Sequence, residues 1–501
     1  MPESPPQQLA IALNAVPLGT FPTKGSLVPS VPMIASRLFQ LRLWLLHMSK
    51  LLWVKATYFA LLAVATAVAS MYLSALVPLD LSRRIDSRTI DTILNILASS
   101  MLAVTTFSLT TVVSAYAAAT SSVTPRATKL LMEDTTAQNA LSTFIGSFIF
   151  SLIAIIFLNS GLYDQQGKVV LFVVTLGVIV VILVTLIRWI EHLSRLGRVG
   201  ETSELVEKVA QKTLLERAET PCFGCRPLLD AEKEIPENAV LVQSDRTGNI
   251  QYVDIEKLVQ IAGNEEMDIY VVKLPGSFVT YDSPLVYAGK MLTKETRQKL
   301  LDAFVIGDER NFEQDPRFGL CVLAEIAARA LSAAINDYGT AIDIINRGVR
   351  LLTVYARGEQ REPEIRDESH GRVRIPPLTA KALFEDIFLP IMRNESRSLI
   401  VDVRLLKAFS ALSRLDNEPF GQEARKYARQ CLQLAVAAVP ARRRQADAGK
   451  PGRQLNGDAS MHLARRIIPA KLRLECPLLR ANGAVRGTDF RRRRCAAECC
   501  A

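Results

Sequence analysis

Four long apolar stretches occupy the first two fifths of the chain, at about 56–77, 93–119, 140–159 and 169–190, and no such stretch follows them. Each is long enough to cross a hydrocarbon core of roughly 30 Å as a helix. A helix buried in a soluble protein usually keeps one polar face, and these keep almost none, so the pattern predicts a transmembrane domain of four helices over 46–200. The second stretch is the least hydrophobic. Along it Ser99, Thr106, Thr110 and Ser114 recur on one face at helical spacing. Such a stripe serves either close helix packing, with hydrogen bonds between helices, or the lining of a water-filled path. In the third stretch Ser142 and Gly146 form a small-xxx-small pair suited to helix contact. Asp, Glu, Lys and Arg are missing from the middle of all four stretches. Proton relays and ion-coupled transporters usually place such a group there, which favours packing over transport.

Basic residues beside the stretches orient them. Arg37, Arg42, Lys50 and Lys55 precede the first, Arg126 and Lys129 lie between the second and third, and Arg188, Arg195 and Arg198 close the fourth. By the positive-inside rule these sides are cytoplasmic, although Arg83, Arg84 and Arg88 in the first loop oppose the assignment. An inner-membrane, multi-pass protein with both termini in the cytoplasm is the expectation. The Pro-rich start lacks the basic and apolar pattern of a cleavable signal, so 1–45 is expected to be a disordered to interfacial extension. The fourth helix is expected to run on unbroken into a stalk, 201–235, which Pro221 stops.

Beyond the stalk the period changes. Alternation and turn residues over 236–300 predict a small β-rich module of hairpins: a strand at 239–243, a Gly248 turn, a strand at 249–253, a helix capped by Asp254, then strands at 267–274 and 278–287 around Pro275-Gly276. From 301 to 440 apolar residues at spacings of three and four predict a helical bundle, with helices at 318–334, 340–356, 379–394, 400–413 and 422–438. The charged segment 355–377 is expected to be an exposed loop. The fold class is therefore a mainly α membrane protein, a four-helix transmembrane bundle followed by a soluble α+β region.

Charge alters this picture only in one place. The formal net charge is +10, but from Ala441 onward the chain holds 15 Lys and Arg against 5 Asp and Glu, so everything before it is neutral. A nucleic-acid binder needs a basic stripe on a folded surface, and none is implied. The segment 441–501 shows no helical or strand period. It reads as a basic disordered tail, as out-of-frame translation beyond an end near Pro440, or as a polybasic segment drawn to anionic lipid. Cys222 and Cys225 have the spacing of a zinc knuckle or redox pair, yet no second pair or His pair completes four ligands. No metal, cofactor or catalytic constellation is expected, and hence no enzyme.

The candidate site is the group Arg310, Gln314, Asp315, Asn336 and Asp337. A basic group beside carboxylates and amides at a strand-to-helix junction suits a small anion or a divalent cation. The plainer account is that Asp315 and Asp337 cap the helices after them and Arg310 pairs with one of the two. Several runs carry a resemblance: Pro125-Arg126 with Met132-Glu133-Asp134, 143–148 (TFIGSF), and, in the second half, 304–310 (FVIGDER), 313–319 (EQDPRFG) and 330–341 (ALSAAINDYGTA). Together they are similar to a bacterial family known as a predicted membrane protein, domain of unknown function 2254, over roughly 46–440. The chain departs from the family's Pro-Gly and Pro at Ala333-Ala334 and Tyr338-Gly339. The resemblance implies a multi-pass inner-membrane protein with a cytoplasmic domain and assigns no activity. Two roles are expected from the whole reading: an assembly, homo-oligomeric in the bilayer, whose cytoplasmic domain senses a ligand or partner and gates the membrane bundle, or a non-transporting anchor for an interaction module.

Overall fold

The structure, a computed structural model, describes residues 52–73, 87–132, 134–161, 163, 165–358, 365–394 and 398–447. The expected N-terminal extension lies outside these residues, as do 74–77 of the first apolar stretch and all but the first seven residues of the tail. The described chain is mainly helical. It falls into two compact units, one comprising the chain up to residue 101 with 141–179, the other 102–140 with everything from 180 onward.

The apolar stretches are α1 (Leu52–Leu73), α2 (Ser87–Ser122), α4 (Thr135–Asn159) and α5 (Gln165–Arg195), with the short α3 (Pro125–Met132) between α2 and α4. Three of them, α2, α4 and α5, are long and apolar enough to cross a membrane. In α1 only Thr57–Thr66 is a described apolar stretch, shorter than a crossing requires. Large apolar side chains on α2 and α5, such as Phe107, Leu109, Leu183 and Ile187, point outward, as a lipid-facing surface requires.

In the first unit Phe144 and Phe150 of α4, Ile90 and Leu94 of α2 and Leu171 of α5 are each fully buried. Ser142, Ser147 and Ser151 of α4 are buried as well. A Cβ at Gly146 would overlap the Phe59 ring, so the missing side chain is what lets α4 meet α1.

In the second unit α5 does not run unbroken into the helix that follows it. It ends at Arg195, Gly197 turns at φ +81°, and a new helix, α6 (Val199–Glu219), begins. A left-handed residue ends the α-helical hydrogen-bond ladder, and glycine adopts that conformation with little strain. Nor is α6 a free stalk. Val206, Ala210 and Leu214 are buried in the main helical core with α10 (Pro316–Ala330), α11 (Tyr338–Gly358), α13 (Ala380–Met392), α14 (Leu399–Leu412) and α15 (Glu418–Asp447). Phe384, Phe388, Phe409, Phe420 and Tyr427 form the aromatic centre of that core. The last helix continues through Pro440 to Asp447, seven residues into the expected tail.

The β region is larger and differently paired than the expected hairpins. One sheet has the order β1-β8-β4-β6-β2 and the other β5-β3-β7. The strands are β1 (Arg226–Pro227), β2 (Val240–Gln243), β3 (Gly248–Val253), β4 (Ile269–Val271), β5 (Phe278–Val279), β6 (Pro284–Ala288), β7 (Phe304–Gly307) and β8 (Val373–Ile375). The helices α7 (Ala231–Glu234), α8 (Ile255–Asn264), α9 (Lys294–Leu301) and α12 (Glu368–Arg372) accompany them. β2 and β3 are not a hairpin, because β2 pairs with β6 while β3 pairs with β5 and β7. The strand expected over 278–287 is broken at Asp282, φ +68°, which sends its two halves to different sheets. The expected loop 355–377 is helical to Gly358, and its end supplies β8, whose Val373 and Ile375 are fully buried between β1 and β4. Asp254 caps α8 as expected, its carboxylate accepting from Lys257 N–H at 3.0 Å.

Candidate functional site

The five residues of the sequence-derived site do not form one cluster. Arg310 lies in the loop after β7 and donates Nε to Asp315 Oδ2 at 2.8 Å, with Nη2 at 2.7 Å from the same oxygen. Asp315 is 2% exposed and caps α10, accepting from the N–H groups of Arg317 and Phe318. Gln314 faces away from them, clasping the backbone of Val253 through both N–H and C=O. Asn336 and Asp337 lie beyond the other end of α10, a helix of 15 residues and so about 22 Å long. There Asn336 adopts φ +50°, and Asp337 accepts from the Thr340 N–H and hydroxyl that open α11. Capping and one ion pair account for both aspartates.

Burial drives the Asp315 carboxyl above its usual range, against the pull of Arg310 and of Arg317 N–H. Arg310 is lowered by burial but raised more by that carboxylate. With two contacts below 3 Å, the ion pair is the state the geometry favours.

The structure adds residues to this end of α10 that the sequence pattern did not single out. The Pro275-Gly276 turn arches over Asp315, and Gly276 has φ +88°, with a position where any Cβ would overlap Asp315 Oδ2. Arg317 makes a two-point ion pair with Asp386 at 2.6 and 2.9 Å. Arg217, in the last turn of α6, reaches the same place and is only 6% exposed. Its guanidinium lies 3.8 Å from the centre of the Phe223 ring. Phe223 is held there by a left-handed turn, with φ +51° at Cys222, +59° at Phe223 and +76° at Gly224. Non-glycine residues in this region cost on the order of 1 kcal/mol or more each. Packing offsets that strain: Cys222 and Cys225 are buried in the sheet core. Burial pushes their thiols up to about 11 and about 12, so both are protonated and unreactive at neutral pH.

The three arginines, Asp315 and the Pro275-Gly276 turn line a cavity of about 320 Å³. Arg217, Arg310, Asp315 and Arg317 lie on one side, the Pro275-Gly276 turn on another, and Pro376, Pro377 and Thr379, the N-cap of α13, complete the wall. A second cavity, of about 580 Å³, lies between α3, α6 and the 308–313 loop. Both motif segments, Pro125-Arg126 and 308–313, line it, but its charges are largely matched. Lys129 pairs with Glu309 at 3.0 Å and Arg126 pairs with Glu325.

Around α3 the ends of the apolar helices are tied to the helical core. Val123, Ala127 and Leu130 are buried in that core, and Arg329 of α10 donates to the Ser121 carbonyl at the end of α2. Trp189 Nε1 of α5 donates to Ser108 Oγ of α2 at 2.9 Å. His192 Nε2 lies 2.8 Å from Asp134 Oδ2. Burial raises the Asp134 carboxyl, but His192 and the Thr136 N–H lower it more, leaving it below its usual range.

The hydroxyl stripe of α2 is turned outward. Ser99, Thr106, Thr110 and Ser114 are all exposed, and Ser99, Thr106 and Thr110 hydrogen-bond the carbonyls four residues before them at 2.9 to 3.0 Å. Within one chain the stripe is neither a buried packing face nor the wall of a described cavity, whereas Gly146 is a packing contact.

A family model described as a predicted membrane protein (DUF2254) matches residues 49–411. Uncharacterized proteins of Mycobacterium tuberculosis and Mycobacterium bovis are each 29% identical over 219 residues, which is 42% of this chain. The match spans 41% of the length of each of these curated relatives. No solved structure matches.

Proposed function

We propose that this chain, which belongs to the DUF2254 family of predicted membrane proteins, is a multi-pass membrane protein in which a soluble domain senses a small ligand and regulates the membrane helices. In this reading α1 is a fourth span, the membrane is the bacterial inner membrane, the soluble domain is cytoplasmic, and the protein is a regulator and not an enzyme. A second copy would cover the outward hydroxyl stripe of α2.

One observation carries the reading. The last apolar helix, α5, passes through a three-residue turn directly into α6, and α6 is both a wall of the soluble core and the bearer of Arg217. A ligand that holds the far end of α6 therefore bears on a helix joined to the membrane domain. Such coupling needs only that the ligand bind one arrangement of α6 better than another.

Flux of small ions through reconstituted protein tests it. Flux that disappears in Thr106→Leu with Thr110→Leu supports a path along the α2 stripe. Flux that both substitutions leave unchanged removes that assignment. The alternative, a non-transporting anchor for an interaction module, is favoured by the turning of the stripe hydroxyls back onto their own helix and by the lack of mid-span charge. No flux under any condition would select it.

A further inference from the structure

We infer that the 320 Å³ cavity is a binding site for a small, water-soluble organic anion whose phosphate or carboxylate head is held by Arg217. The inference rests on the reading of the soluble domain as a ligand-sensing module, and names the chemical class sensed.

Arg347 is buried to nearly the same degree as Arg217, and it meets Glu207 and Asp343. No hydrogen bond or ion pair joins Arg217 to a described residue; its guanidinium lies over the Phe223 ring, and Tyr355, Cys222 and the Asp315 carboxylate act on it only through space. Burying a guanidinium with no acceptor is costly, so a protein seldom keeps one unless something else completes it. Burial lowers its pKa only to about 10, and it remains a cation at neutral pH.

The neighbours cannot supply the missing acceptor. Asp315 is engaged by Arg310 and by two backbone N–H groups, and Asp386 by Arg317. Three guanidinium groups against two carboxylates leave one positive charge, that of Arg217. The cavity also opens on the first turn of α13, 13 residues long, at Thr379 and Ala382, where the helix dipole adds positive potential. Opposite, Leu274, Pro275, Pro376 and Pro377 offer an apolar wall to the rest of the molecule. Ligand cavities begin at about this size, which exceeds what an inorganic anion fills.

The test is calorimetric titration of the full-length protein in detergent with glycerol 3-phosphate, citrate and inorganic phosphate, together with thermal unfolding. At least one organic anion is expected to bind with one-to-one stoichiometry and to raise the melting temperature, and Arg217→Met to weaken that binding at least tenfold. If Arg217 is an unpaired charge awaiting a ligand, Arg217→Met without ligand unfolds no earlier than wild type. A large fall in melting temperature would instead make Arg217 structural. Ala382→Phe intrudes on the cavity from the α13 side while leaving the Arg217 side chain in the protein, and is expected to abolish binding in a folded protein. Equal binding by wild type and both variants, or no binding of any of the three anions at millimolar concentration, would overturn the site. Binding that depends on Arg217 but leaves ion flux unchanged would keep the site and remove the regulatory reading.

Discussion

At the scale of single residues the second unit holds two kinds of buried arginine, Arg347 with carboxylate partners and Arg217 over an aromatic ring. Arg347 and Arg350 converge on Glu207 of α6, Arg350 with contacts of 2.7 and 2.8 Å, and this knot pins α6 to α11. Removing one partner of a buried ion pair costs up to about 3–5 kcal/mol. The cost is less here, because Arg347 keeps Asp343 and the Arg350 side chain is 55% exposed, so Glu207→Gln is expected to lower the melting temperature by less than that full penalty implies. A pH effect follows. Burial raises the Glu207 carboxyl, but Arg350 and Arg347 lower it further, and it ends below its usual range. A depressed carboxylate contributes stability above its unfolded-state value of about 4.3 and loses it as pH falls through the lower folded value. Wild type should therefore lose stability between about pH 4.3 and more acid conditions, and Glu207→Gln should lose less over the same interval. Parallel melting curves for the two proteins from pH 7 to 3 would refute the assignment.

At the scale of elements the informative places are where a helix or strand stops. Gly197 separates α5 from α6 at φ +81°, and a Cβ there would lie 3.2 Å from the Ala115 carbonyl of α2. Gly197→Ala is expected to cost about 1 kcal/mol and to lower the melting temperature in detergent by a few degrees. An unchanged or raised melting temperature would mean that α5 and α6 can straighten into one helix. Helix existence is well marked in the sequence because apolar residues recur every three or four positions, and all five helices expected between 316 and 440 are present. Their ends are set by caps, as Asp315, Asp337 and Thr379 illustrate. Strand partners are not so marked. The 239–253 pattern predicts two adjacent strands, but nothing local says that β2 will pair 41 or more residues on with β6, or that β8 will insert between β1 and β4.

For the whole molecule, topology is the first quantity to fix. The residue Ser203, the natural position for a label beyond α5, is 1% exposed, whereas Lys212 of α6 is well exposed. In a background without native cysteine, Gln165→Cys and Lys212→Cys are expected to react with an impermeant thiol reagent from opposite sides of the membrane. Reaction of both from one side would mean that α5 does not cross. The apolar stretches, the change of period after residue 200 and the neutrality of the body were determined by sequence alone, because each depends on composition or on spacing along one element. Arg310 with Asp315 was also legible, being five residues apart. The cavity was not. Its walls come from α6, the Pro275-Gly276 turn, the start of α10 and the start of α13, segments up to 165 residues apart that meet only because two cores fold against each other. The same holds for Arg217: in sequence it is one more charge on an amphipathic helix, and only tertiary packing decides that it is buried over the Phe223 ring with no hydrogen bond or ion pair to a described residue. Local chemistry writes the elements, while the free energy of burial, which has no sequence period, chooses which of their charged groups are left for a ligand.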